Sequence, residues 1–189
     1  MFTREDLDFV SHGVPCKGYL YRPTGAAGPV PCVIMGHRFG ATRECGITAY
    51  AEAFVAAGYA VFLFDYRHFG ASGGAPRQVL IPAQRVEDWL AAIAFVRTLD
   101  SVRRDALVLW RTSFGGGLAA AAARNGAVRG VIARCPLMDG FTAVTEAVRY
   151  AGVARDEARG ARDARHRARR SGCRLTTSPP RCTQATSPR

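Results

Sequence analysis

The sequence is almost without lysine, and it has neither an export signal nor an apolar run of membrane-spanning length. Lys17 stands against 25 arginines, a bias that we attribute to codon usage rather than to binding chemistry. The first six residues are mostly polar or charged, whereas a signal peptide needs an apolar core. The longest apolar stretch, residues 53–64, is interrupted by Gly58 and is too short to cross a bilayer. We therefore expect a cytoplasmic protein with no membrane partner.

Closely spaced metal-ligand pairs are also missing. The six cysteines are scattered and form no C-x-x-C pair, which argues against a zinc site. Because no export signal is present, free buried thiols are expected rather than disulfides. No motif implies a metal or another cofactor, so none is predicted. The cysteines are Cys16, Cys32, Cys45, Cys135, Cys173 and Cys182.

The formal net charge of +11 is unevenly distributed. Residues 1–150 carry 16 basic and 12 acidic side chains, whereas residues 151–189 carry ten and three. From about residue 154 the apolar periodicity gives way to arginine and alanine, and then to serine, threonine and proline. We predict a folded domain over residues 1–152 and a tail over residues 153–189 that is disordered or results from a frame shift. Without interleaved aromatic residues, the tail supports only salt-sensitive, unspecific contact with nucleic acid.

Hydrophobic periodicity predicts alternating strands and helices along the domain. Residues 7–10 and 18–22 are expected to form an antiparallel pair of strands. Four apolar runs then predict buried strands, at residues 30–35, 60–66, 106–110 and 130–134. Helices are predicted with the face Ile47, Tyr50, Ala51, Phe54 and Val55, with the face Val86, Leu90, Ile93 and Ala94, at residues 113–124 and at residues 142–150. This alternation indicates an α/β fold with a doubly wound, mostly parallel sheet and helices on both faces.

A serine lies at the junction between the third buried strand and a helix rich in glycine and alanine. The segment Arg111-Thr112-Ser113-Phe114-Gly115 resembles the nucleophile elbow G-x-S-x-G of α/β hydrolases. In such an elbow a sharp turn holds the serine Oγ clear of the sheet, and the helix N-terminus favours developing negative charge. The alternative is that Ser113 only caps the helix. The strand before it and the small residues after it favour the elbow.

Two further segments that follow buried strands resemble loops of the same family. Residues 35–40, Met-Gly-His-Arg-Phe-Gly, resemble the H-G-x-x-G oxyanion loop. By this resemblance the backbone N–H groups of Phe39 and Phe114 are the oxyanion donors, and His37 is structural rather than a catalytic base. Residues 65–74 resemble a D-x-R-x-x-G-x-S-x-G loop, whose polar residues hold its shape. In this chain they are Asp65, Arg67 and Ser72.

Three motifs in the order of the family identify residues 5–150, roughly, as similar to the N-terminal part of an α/β-hydrolase-fold serine hydrolase. The dienelactone-hydrolase-like and Xaa-Pro-peptidase-like branch is the most similar. The resemblance implies acyl transfer, in which Ser113 attacks a small-molecule ester, thioester or amide.

In this fold the acid and the histidine follow the serine. The only later histidine is His166, which lies in the arginine-rich tail. Asp139, which follows the fourth buried strand, is the candidate acid, with a turn or helix-cap role as the alternative. The other later acids are Glu146, Asp156, Glu157 and Asp163.

Two glycines of the family motifs are arginine in this chain. Arg111 replaces the first glycine of the elbow, where its Cβ is expected to crowd Gly115 and relax the turn. Arg38 replaces a glycine of the oxyanion loop and is strained if that position needs a positive φ. We therefore expect an impaired hydrolase, and the alternative is a non-catalytic binding protein on the same fold. A sheet that ends before its last strands exposes an apolar edge at residues 130–134, so self-association is also expected.

Overall fold

Strands and helices alternate along the chain in its computed structural model, which describes residues 1–126, 128–136, 139, 141, 142, 145, 146 and 149. The strands are β1 (Phe2–Ser11), β2 (Val14–Pro23), β3 (Val30–Gly36), β4 (Ala60–Phe64), β5 (Val102–Thr112) and β6 (Gly130–Arg134). The helices are α1 (Thr48–Ala56), α2 (Pro82–Val96) and α3 (Phe114–Gly126). The strands form one sheet in the order β1-β2-β4-β3-β5-β6, parallel from β4 to β6 and antiparallel at β1 and β2. This confirms the predicted fold class.

A tight hairpin joins β1 to β2 at the start of the sheet. His12 and Gly13 both have positive φ, 46° and 77°, as in a two-residue type I′ turn. The antiparallel pair predicted at residues 7–10 and 18–22 is confirmed, although both strands are longer than expected. The prediction missed the start of β1 because its residues are charged and exposed, as is usual on an edge strand, and so form no apolar run.

Helices cover both faces of the sheet, as predicted. On one face α2 and α3 close a core that includes Phe64, Trp89 and Leu109. On the other face α1 packs on β2 and β4 over a smaller core that includes Trp110. Because successive side chains of a strand point to opposite faces, Arg111 shares the α2/α3 face with Leu109.

The buried face of α2 differs from the predicted one. Of the predicted stripe, Val86 and Leu90 are only half-buried and Ala94 is exposed. Periodicity missed the true face because it counts apolar residues, whereas two members of this face are charged. The residues that α2 buries are Arg85, Asp88, Trp89, Ala92, Ile93 and Val96.

The last strand of the sheet, β6, is an exposed edge rather than a buried strand. Its bounds match the prediction, and its outer side has no partner strand among the described residues. Ala133 and Arg134 are exposed, and Ile132 keeps 46% of its surface accessible. An apolar side chain is therefore presented beside a strand edge that no described strand covers.

The cysteines do not all follow the expectation of buried thiols. Cys16 and Cys32 are buried, and burial raises the pKa of both thiols to about 12. Cys45 and Cys135 are free but exposed, since both lie in loops at the surface. Cys173 and Cys182 lie outside the described residues.

The chain divides into a first unit, Met1–Gly140, and a second unit that begins at Phe141. The described residues of the second unit are helical, in agreement with the helix predicted over residues 142–150. The predicted tail, with His166 and the acids Asp156, Glu157 and Asp163, lies outside the described residues. Within the described part of the chain, every helix is too short or too polar to cross a membrane.

Candidate active site

Ser113 forms a one-residue turn between β5 and α3. Its φ is 58°, a value that is uncommon for a residue with a Cβ and that persists where the surrounding structure enforces it. The Ser113 backbone N–H donates to the Arg134 carbonyl oxygen at 3.0 Å, which ties the turn to β6. Ser113 itself is exposed. The turn therefore keeps the strained geometry of an elbow and is not relaxed by Arg111.

The side chain of Arg111 extends into the core of the α2/α3 face. It is fully buried there, and its Nη1 donates to the Tyr66 hydroxyl. The guanidinium carbon lies 5.1 Å from the Tyr66 ring centroid and 5.9 Å from that of Trp89. Burial lowers the pKa of Arg111 to about 9. A Cβ at Gly36 would lie 2.8 Å from Nη1, so the glycine on the neighbouring strand makes room for the arginine.

The loop after β3 lies beside the elbow, because β3 and β5 are parallel neighbours and their carboxyl ends share one edge of the sheet. The Ala41 N–H donates to the Arg38 carbonyl oxygen at 3.1 Å, and Gly40 has φ 64°, as at the third position of a type II turn. The positive φ thus falls on Gly40 and not on Arg38, so Arg38 is not strained in that way. Phe39, between them, is exposed.

His37 is buried beneath this loop and contacts backbone groups. Its Nδ1 lies 3.1 Å from the Arg38 carbonyl oxygen, and the Tyr66 N–H points to Nε2 at 3.4 Å. A neutral ring that donates from Nδ1 and accepts at Nε2 satisfies both contacts. Burial lowers the pKa of His37 to about 3, and the charges of Arg111 and Arg85 act in the same direction. These contacts give His37 the structural role that the sequence indicates.

Asp65 organises the loop that follows β4. Its carboxylate accepts the backbone N–H groups of Arg43 at 2.8 Å and Ala71 at 3.1 Å. The Ser72 hydroxyl donates to the Asp65 carbonyl oxygen at 2.7 Å and accepts the Lys17 N–H at 2.9 Å. Burial raises the pKa of the Asp65 carboxyl group. These bonds hold the loop in shape against β2.

Arg67 joins the same loop to α2. Its Nε donates to Asp88 Oδ1 at 2.6 Å, and its Nη2 donates to Glu87 Oε2 at 2.6 Å and to the Gln84 carbonyl oxygen at 2.8 Å. The Ser11 hydroxyl donates to the same Asp88 oxygen at 2.6 Å, so one buried carboxylate connects β1, α2 and the loop. Arg67 was predicted from its motif to hold the loop in shape, whereas the part played by Asp88 was not predicted. The signal in the sequence was the position of Asp88, which directly precedes Trp89 on the buried face of α2.

A family model identifies the architecture that carries these loops. The model described as Serine aminopeptidase, S33, an α/β-hydrolase family, matches residues 28–163. This chain belongs to that family. The matched range contains the oxyanion-type loop, the Asp65 loop and the Ser113 elbow, so all three motifs lie within the hydrolase domain.

Individual relatives match only part of their length. The quorum-quenching protein AidA of Acinetobacter baumannii is 49% identical over 138 residues, which cover 72% of this chain and 45% of that protein. The thiohydrolase aneE of Aspergillus aculeatus is 36% identical over 139 residues, which cover 72% of this chain and 43% of that protein. The solved structure of the α/β hydrolase GrgF from Penicillium sp. sh18 has a TM-score of 0.69 at 26% identity, covering 82% of this chain and 56% of GrgF. The chain thus spans less than half the length of the two curated relatives.

A histidine and an acid that could act with Ser113 are not gathered around it in the part of the chain that is described. No described histidine forms a hydrogen bond with Ser113. Asp139 is exposed, and its role as the acid stays a prediction. His166 lies outside the described residues. The three described histidines are His12 in the hairpin turn, His37 against backbone, and His68, whose Nδ1 lies 2.9 Å from the Pro76 carbonyl oxygen.

Proposed function

We propose that this chain carries the nucleophile half of a serine hydrolase, in which the Ser113 Oγ attacks the carbonyl carbon of an ester, thioester or amide. A histidine takes the hydroxyl proton and passes it to the alcohol, thiol or amine, which leaves as Ser113 becomes acylated. The observation that supports this most directly is the positive φ of Ser113 on a one-residue turn between β5 and α3. A helix cap alone does not require a strained, exposed serine, because a cap residue takes an extended backbone. An elbow does require it, since the turn must lift Oγ away from the sheet.

The surroundings of Ser113 suit the negative charge of a tetrahedral intermediate. The backbone N–H of Phe114 belongs to the first turn of α3, where the helix dipole is positive. The N–H of Phe39, in the loop beside the elbow, is the proposed second donor. A histidine must still accept the Ser113 proton and an acid must orient it, for which Asp139 is the candidate within the described residues.

The name of one relative favours a thioester among these substrates. One relative is called a thiohydrolase and another a quorum-quenching protein, and both match the segment that contains Ser113 with at least 36% identity. We infer a small-molecule acyl substrate of this kind. The narrower assignment to a dienelactone-hydrolase-like branch stays a prediction.

The second candidate function is non-catalytic binding on the hydrolase fold. It is favoured by the arginine at position 111 and by the lack of a histidine on Ser113 among the described residues. A strongly reduced turnover is expected even if the serine reacts, because loss of a triad member leaves only binding and oxyanion stabilisation.

A fluorophosphonate probe distinguishes the two functions, because it reacts covalently with an activated serine and needs no substrate. We expect the folded chain to be labelled and Ser113→Ala to lose the label. Ser101→Ala serves as the matched control, since Ser101 precedes the same strand on the opposite end of the sheet and should label like the parent. Folded protein that does not label, with circular dichroism as the check on folding, would favour the binding function.

A further inference from the structure

Five buried nitrogens with N–H groups cluster between α2 and the elbow without an acceptor. They are Nε and Nη2 of Arg85, Nε1 of Trp89, and Nε and Nη2 of Arg111, none of which has a hydrogen-bond partner among the described residues. Arg85 is 3% exposed and Arg111 is fully buried, so water does not replace the missing acceptors from outside. Buried polar groups are nearly always paired, and buried charges even more so.

The two guanidinium groups lie around one aromatic ring. The Arg85 guanidinium carbon is 4.2 Å from the Tyr66 centroid and 4.3 Å from that of Phe69. The Arg111 guanidinium carbon is 5.1 Å from the same Tyr66 centroid and 5.9 Å from that of Trp89. Ring faces attract cations, but they do not accept the N–H groups that point away from them. The cluster is therefore cationic and consists of donors only.

The interior carboxylates near this cluster are already engaged. Asp88 binds Arg67 and Ser11. Asp65 binds backbone N–H groups of the loop after β4, with Arg43 beside it. Neither carboxylate forms an ion pair with Arg85 or Arg111 among the described residues. The charge of Asp88 acts on Arg85 from a greater distance, and no carboxylate among the described residues forms an ion pair with Arg85 or Arg111, so the positive charge of the cluster is not balanced by an ion pair of its own.

We propose that Arg85, Trp89 and Arg111 form an internal site for one small monovalent anion of halide size. A single negative charge would accept several of the five donors at once and would also balance the positive charge, which a neutral acceptor such as water does not do. The packing beside the Arg111 guanidinium group is tight, since a Cβ at Gly36 would lie 2.8 Å from both Nη1 and the Tyr66 hydroxyl, and this favours a small ion over a larger one. The site lies below the elbow and does not depend on whether Ser113 reacts.

The titration behaviour of the neighbours is consistent with an unmet positive charge. Burial lowers the pKa of Arg111 to about 9 and that of Arg85 to about 10, and both arginines contribute to the low pKa of His37. A bound anion would oppose each of these shifts, since it stabilises the charged form of every neighbouring base.

The test compares the thermal unfolding of the full chain in sodium chloride and in sodium gluconate at equal ionic strength. Gluconate is too large for the site, so chloride alone should raise the Tm, saturably and by roughly 4 °C or more. Arg111→Met and Arg85→Met should abolish this difference. Arg104→Met is the matched control, because Arg104 lies exposed on the same strand as Arg111, and it should keep the difference.

Tryptophan fluorescence gives a second readout that does not depend on stability. Bromide at the site would touch Trp89 Nε1 and quench its emission. In Arg111→Met the quenching should fall to the level caused by bromide collisions from solution, including those with Trp110. Equal Tm values in chloride and gluconate, together with bromide quenching that Arg111→Met leaves unchanged, would overturn the proposal. The arginines would then be unpaired charges that only lower the stability of the fold.

Discussion

At the scale of single residues, His37 makes the free energy of unfolding depend on pH in the acidic range. Its ring is buried and bonded to backbone at both nitrogens, and its pKa falls from 6.5 to about 3. The unfolded chain takes up a proton on this ring as the pH falls below about 6.5, whereas the folded chain does not until about pH 3. The free energy of unfolding should therefore decrease by about 1.4 kcal/mol for each pH unit through this window.

Urea unfolding between pH 7 and pH 4 measures this dependence, with His37→Asn as the test variant. Asparagine retains one donor and one acceptor for the Arg38 and Tyr66 backbone groups but does not titrate. We expect the slope of stability against pH to be shallower in His37→Asn. His12→Asn is the control, since His12 lies in the exposed hairpin turn. Identical slopes in His37→Asn and the parent would exclude His37 as the titrating group.

At position 111 the sequence predicted the departure from the family motif but not its structural consequence. The motif pattern singled out Arg111 as a departure from the hydrolase elbow and predicted a relaxed turn. The structure instead keeps φ 58° at Ser113, because the arginine side chain occupies the space that Gly36 leaves open on the adjacent strand. Such compensation involves residues 75 positions apart, and a local motif does not contain it.

At the scale of secondary structure elements, apolar runs and alternation were sufficient to predict the strands and helices that the structure describes. Their bounds were less accurate at β1 and β5, where charged residues extend a strand beyond its apolar part. The predicted buried face of α2 was displaced by about one position from the observed one. Burial of Arg85 and Asp88 depends on partners in other elements, which the periodicity of one helix does not reveal.

Asp88 is predicted to be the residue that fixes α2 to the rest of the fold. Its carboxylate accepts bonds from Ser11 and from Arg67, and both its partners and the carboxylate itself are buried. Asp88→Ala should lower the free energy of unfolding by about 3 kcal/mol, because it leaves a buried arginine and a buried hydroxyl without their acceptor.

Glu87 provides a matched control for this prediction. It is the next residue in the chain and its carboxylate also lies 2.6 Å from Arg67, but its side chain is 39% exposed. Exposed ion pairs contribute about 1 kcal/mol or less, so Glu87→Ala should be much milder. Chemical denaturation of both variants gives the comparison. Equal losses would mean that burial of Asp88 does not determine the strength of the contact.

At the scale of the whole molecule, the order of the sheet explains why three separate motifs meet. The strands β4, β3 and β5 are parallel neighbours, so the loops after them emerge at one edge. The strand order was not predicted, but the alternation of strands and helices already required a parallel sheet. The sheet order does not bring the acid and the base to this edge in the same way. The candidate acid, Asp139, is exposed, and the only histidine after Ser113, His166, lies outside the described residues.

The same sheet order leaves β6 as an edge, and we predict that the chain associates through it. Ile132 is 46% exposed on a strand whose outer side has no partner strand in the described part of the chain, which favours pairing with the β6 of a second copy. Light scattering after size-exclusion chromatography should show dimers or larger species that Ile132→Lys shifts towards monomer, because a charge on an edge strand opposes pairing. Val10→Lys is the matched control, since Val10 is 65% exposed on β1 at the opposite edge, and it should leave the association unchanged. A monodisperse monomer of the parent chain at all concentrations would contradict this account, as β6 would then need no partner to be stable.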